Sequence, residues 1–241
     1  MWIFHVLLWM HVVTGAIGLV ALWPPMLGRK GGAVHKRWGK VFAYCLLATS
    51  FFAIGMSLCT LAAPLETHPK LTDIRMIRGL FGYMMLYLAT FTMALAWYGL
   101  ACVRHKQDHR RHRNIVTLGF QGATALTAIL CAVQGWLGDQ PLMIGISSLG
   151  IVAATLNTLY IVSRDPPHNE WLVQHMRALV GAGVSIYTAF FSFGAANLLP
   201  AVAFNPVLWA TPTLIGIGVI GYHQTRLRGQ WPMRRPARSG T

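Results

Sequence analysis

The chain has 241 residues, 55% hydrophobic and only 11% charged, with 20 Lys and Arg against 6 Asp and Glu for a net charge of +14. An ordinary soluble domain carries about 25% charged residues, so this composition excludes one, and its apolar content excludes a disordered chain. Six carboxylates also leave little material for chemistry built on paired carboxyl groups.

Seven apolar stretches follow one another, at residues 2–23, 41–63, 80–103, 115–137, 142–162, 178–199 and 207–222. Each is near the ~20 residues a helix needs to cross ~30 Å of hydrocarbon. The expectation is an all-α bundle of seven transmembrane helices, one domain over residues 1–226, with a basic, disordered tail at 227–241. The first stretch has no basic segment before it and no small-residue cleavage site after it. Trp23-Pro24-Pro25 followed by Arg29-Lys30 reads as the inner end of a retained span. The second, fourth and sixth stretches are each preceded by a related motif: His35-Lys36-Arg37-Trp38, His109-Arg110-Arg111-His112 and His168-Asn169-Glu170-Trp171. Three hairpins from a duplicated two-helix unit, plus a seventh helix, account for that faint repeat. Pro166 to Glu170 has the form of a helix start. Pro200 and Pro206 bracket the last connection, and Pro212 falls early in the seventh helix, where a missing amide hydrogen costs little. Gly216-x-Gly218-x-x-Gly221 matches a dinucleotide fingerprint only as a string, since no strand precedes it. Like Gly15/Gly18, Gly79/Gly82 and Gly181/Gly183, it is expected to permit close helix contact.

Charge sets the orientation. With the connections at 28–40, 104–113 and 164–177 and the tail after Tyr222 on one side, that side holds 17 of the 20 Lys and Arg residues. The positive-inside rule makes it cytoplasmic, with the N-terminus outside and the C-terminus inside. A basic inner rim faces anionic lipid headgroups, and no nucleic-acid partner is expected. Trp2, Trp23, Trp38, Trp136, Trp171, Trp209 and Tyr222 sit near span ends, as an interfacial belt requires. Cys45, Cys59, Cys102 and Cys131 form no C-x-x-C pair and are expected to be reduced packing residues.

The histidines carry the chemistry. Ten of them stand against six carboxylates. His11 lies halfway along the first span, where an ionisable group needs a partner. It reads either as a haem ligand, quinone contact or proton-relay residue, or as a neutral imidazole bonded to a Thr or a carbonyl across the interface. His35, His112, His175 and His223 share one depth at the inner ends of four helices, where some of them can converge on a cofactor. His105, His109 and His112 align if helical, but the five Lys and Arg residues beside them favour a solvated basic loop. Arg75 and Arg78 on the outer side, and Arg177 near the inner face, are candidate contacts for an anion or a haem propionate. With no carboxylate at the depth of the inner histidines, no metal site is expected. No G-x-S-x-G, P-loop or H-E-x-x-H signature is present.

His11 with Gly15 and Gly18, followed by His35-Lys36-Arg37-Trp38-Gly39-Lys40, resembles the uncharacterised bacterial membrane family DUF2306 over roughly the first 125 residues. His109-Arg110-Arg111-His112-Arg113 is similar to that family's His-Arg-x-Trp-Met-x-Arg motif, with His112 in place of the aromatic and Arg113 in place of the methionine. His175-Met176-Arg177 is an equally good remnant of it. The resemblance implies a polytopic inner-membrane protein with no established activity. The leading expectation is a redox protein that binds haem b or meets quinone through membrane histidines. A small-molecule transporter or channel, and an accessory or assembly subunit without chemistry, are the alternatives.

Overall fold

A helix satisfies its backbone N–H and C=O groups within one segment, which suits so apolar a chain. The computed structural model describes residues 2–194 and 206–229, and no strand occurs among them. α1 (Trp2–Ala21) leads into a short α2 (Trp23–Leu27), and α3 (Ala33–Ala62) is followed by a single turn, α4 (Pro64–Thr67). Next comes α5 (Ile74–Ile77), which passes through a π-helical stretch at Arg78–Met84 into α6 (Met85–His105). A 3₁₀ turn at His109–His112 precedes α7 (Ile115–Leu137) and α8 (Pro141–Val162). α9 (Glu170–Ala189) ends in a second π-helical stretch at Phe190–Gly194, and α10 (Pro206–Gly229) is the last described helix. Among the described residues, five segments are long and apolar enough to cross a membrane: Trp2–Leu27, Ala33–Ala62, Ile74–His105, Ile115–Leu137 and Pro141–Val162.

α6 is the hub, packing against α3, α7 and α9, while α1 lies on α3, α8 on α7 and α10 on α9. Its central place explains why its side chains are the most enclosed of the long helices: Tyr87, Ala96, Tyr98 and Cys102 have no exposed surface. One core cluster joins Phe42 and Leu46 of α3 to Leu95 and Tyr98 of α6, Tyr160 and Ile161 of α8 and Ala182 of α9. A second joins Met84 and Tyr87 to Ala128, Cys131 and Met143 at the opposite end. Close approach depends on missing side chains at a few points. A Cβ on Gly150 would lie 2.5 Å from the Tyr87 hydroxyl, which here donates to the Ile146 carbonyl at 2.9 Å. The outer faces stay apolar, with Trp9, Val20, Leu126 and Val152 all largely exposed.

The helices overrun the apolar stretches, mostly at the basic end. α3 begins eight residues before residue 41 and α9 eight before residue 178, so His35 and His175 lie within helices rather than on their approaches. Hydropathy ends where Lys, Arg and Glu begin, but these are good helix formers whose long stems reach past the apolar zone. α10 likewise runs to Gly229, three residues past 226; Pro200 and residues 230–241 lie outside the described residues. Since α10 starts at Pro206, Pro212 sits in its second turn. Pro24 and Pro25 remove two amide donors, and the chain breaks into α1 and α2 at Leu22.

Candidate histidine sites

Two imidazoles meet at the basic end. His35, in the first turn of α3, and His175, in the second turn of α9, place their ring centroids 6.4 Å apart at an interplanar angle of 72°. The Nδ1 of His35 lies 3.1 Å from the Pro25 carbonyl oxygen, and the Nδ1 of His175 lies 2.9 Å from that of Gly99. A carbonyl only accepts, so both Nδ1 atoms carry the proton and a neutral ring keeps a bare Nε2. Each carbonyl is supplied by a specific local feature. The Pro25 carbonyl belongs to the short α2 and also accepts from Lys30 Nζ at 2.9 Å. Gly99 lets α9 approach α6 closely, since a Cβ there would stand 2.7 Å from Leu179 Cδ2.

The other expected residues fall elsewhere. His112 joins a separate group with His105, His109 and Tyr160, with ring centroids 5.3 Å from His105, 5.6 Å from His109 and 5.9 Å from Tyr160. His109 sits 4.9 Å from Tyr160. The loop is solvated at Arg104, Lys106, Arg110, Arg111 and Arg113, as expected, but His112 has no exposed surface: the 3₁₀ turn folds its two histidines inward against α6 and α8. Arg113 clamps that fold, its guanidinium donating to the carbonyls of Ile161, Val162 and Ser163 at the end of α8. Neither ring nitrogen of His109 or His112 makes a well-formed hydrogen bond. Burial, with the neighbouring His105 and His109, pushes His112 down to about 4, and burial with the Arg113 charge lowers His109.

His11 donates from Nδ1 to the Thr49 carbonyl at 3.1 Å, across the α1–α3 interface where Gly15 also meets Thr49. That carbonyl is the partner that an ionisable group at this depth needs. His11 lies level with Thr49, fourteen residues and ~21 Å along α3 from His35. His223 packs on Tyr222 at 5.2 Å, and the Lys30 and Arg226 charges lie near it. Arg75 and Arg78 line two cavities at the opposite end of the bundle, of about 400 and 300 Å³. About 24 residues separate Arg75 from Gly99, roughly 36 Å at 1.5 Å per residue. Arg177 is half-buried on α9, two residues after His175. Among the described residues, no group of three or more His, Cys, Asp or Glu side chains is placed to hold a metal ion.

Sequence reasoning missed the polar chain beside the pair. Tyr98 donates its hydroxyl to Gln174 Oε1 at 3.2 Å, and Gln174 Nε2 donates to Glu170 Oε1 at 2.9 Å, all three residues buried. The available signal was the spacing of Glu170 and Gln174, one turn apart on one face of α9. No family model, curated protein or solved structure matches this chain.

Proposed function

We propose that this chain is a seven-span redox protein of the bacterial inner membrane, N-terminus outside and C-terminus cytoplasmic, which holds one haem b between His35 and His175. The observation that carries this reading is the pair itself: two imidazoles from different helices at one depth, each with Nδ1–H tied to a backbone carbonyl. Ligating histidines are oriented in this way, the second nitrogen fixing tautomer and ring plane. An ion bound ~2 Å from each of two opposed imidazole nitrogens leaves ring centres roughly 6 Å apart, which the 6.4 Å separation suits. The donor set therefore fits a bis-histidine haem, which when bound supplies one-electron chemistry. Of the three arginines considered for its propionates, only Arg177 lies at the same end of the bundle as the pair. The basic rim is read as facing anionic lipids, and α9 and α10 as the sixth and seventh spans.

A quinol is the second reading at the same pair, favoured by the bare Nε2 atoms, which suit its hydroxyl protons. The deciding experiment is an optical spectrum of detergent-purified protein, oxidised and dithionite-reduced, with iron quantified on the same sample. A Soret band, sharp reduced α and β bands and iron near one per chain are expected, and both are lost in His35→Ala and His175→Ala. A colourless, iron-free protein sinks the haem reading, and saturable binding of a quinol analogue that needs both histidines then establishes the second.

A further inference from the structure

We propose that Gln174 is the positioning residue of the histidine pair: bonded between Tyr98 and Glu170, it fixes the rotation of α9 so that His175 faces His35. The inference rests on reading that pair as the functional site. Successive helical residues are turned by ~100° about the axis, so the direction in which His175 points follows from where Gln174 is held. Gln174 is held at both ends of its amide. Its Oε1 accepts from the Tyr98 hydroxyl of α6, and its Nε2 donates to Glu170 one turn earlier on its own helix. On the next residue of each helix, His175 Nδ1–H meets the Gly99 carbonyl. Two adjacent rungs, Tyr98 to Gln174 and Gly99 to His175, thus tie α6 to α9 in one register.

The chain is enclosed, which makes it directional. Gln174 is 4% exposed, Glu170 7% and Tyr98 not at all, so water does not compete for these bonds. Tyr160 stands edge-on to Tyr98 at 6.5 Å and backs it from α8. Breaking the chain takes a hydrogen bond from groups that water cannot reach. That loss is relieved by turning α9, which carries His175 away from His35.

The test needs no bound ligand. In a His35→Cys/His175→Cys protein whose four native cysteines are replaced by Ala, with each single-cysteine variant of that background as blank, a short bifunctional thiol reagent joins the two positions when they face each other. Efficient crosslinking is expected with Gln174 in place, and a several-fold loss with Gln174→Leu. In the exchange variant Glu170→Gln/Gln174→Glu, the new carboxylate at position 174 accepts from both the Tyr98 hydroxyl and the new amide at position 170, and crosslinking returns. Unchanged crosslinking in Gln174→Leu overturns the proposal, as does loss that the exchange variant fails to restore, since the role is then packing. Should Gln174→Leu fail to yield a monodisperse protein, Tyr98→Phe decides by the same readout: reduced crosslinking supports the proposal and unchanged crosslinking overturns it. In protein with its histidines intact, Gln174→Leu should convert the six-coordinate haem spectrum toward a five-coordinate one. A colourless wild type fails the haem reading alone, because crosslinking reports the geometry independently.

Discussion

At the scale of single residues, the same side chain serves different ends according to what its second nitrogen meets. His11 and His175 both donate Nδ1–H to a carbonyl of a neighbouring helix, yet only His175 has another imidazole across from it. His11→Leu is therefore expected to keep any haem spectrum and to lose one interhelical bond, about 0.6 kcal/mol on average in a membrane bundle; loss of colour would move His11 into the site. His112 has neither a well-formed carbonyl bond nor solvent. Its folded value, about 4, lies below the ordinary histidine value of 6.5, so the unfolded chain takes up the proton more readily. Stability is then complete above pH ~6.5 and declines as pH falls toward 4, with His109 acting in the same direction. Melting temperature in detergent should drop across that window in the wild type and less steeply in His112→Leu. Parallel curves for the two proteins would show that His112 is not buried neutral.

Elements are joined by what glycine leaves out. On α10, a Cβ at Gly216 would run into Val184 Cγ2 of α9, whereas one at Gly218, two residues on, meets nothing within 4 Å. Gly216→Ala is expected to cost about 1–3 kcal/mol as overpacking, loosening α10 from α9. Gly218→Ala should be neutral or stabilising by up to ~1 kcal/mol, since glycine weakens a helix interior. Equal effects in a denaturant titration would mean that α10 does not dock through Gly216. The glycine string of this helix was legible as a packing feature, but which glycine touches a neighbour was not. Helical phase relative to α9 is a property of two segments, and the sequence of one does not contain it.

For the molecule as a whole, the proposed seven spans with an inner C-terminus place Asp139, between α7 and α8, outside, and Gln107, between α6 and α7, inside. In a background with the four native cysteines replaced by Ala, a membrane-impermeant thiol reagent applied to intact cells should label Asp139→Cys, and Gln107→Cys only after permeabilisation; the reverse pattern inverts the orientation. The two ends differ chemically. The basic end holds the histidine pair, the buried His109/His112 group and the α6–α9 polar chain, while the opposite end holds the open cavities beside Arg75 and Arg78.

Composition and hydropathy by themselves determined an all-helical chain of seven apolar stretches, five of which coincide with described helices long and apolar enough to cross a membrane, because burial of apolar length and internal pairing of the backbone are properties of each segment alone. The matched depth of His35 and His175 was legible for the same reason, since depth follows from distance along a helix. Only the tertiary structure decided that these two meet while His112 turns to Tyr160. Azimuth around the bundle depends on which helices touch and at what rotation. Those are set by pairs such as Gly99 against Leu179 and Tyr98 against Gln174, which lie some 75 to 80 residues apart in the chain and have no local signature.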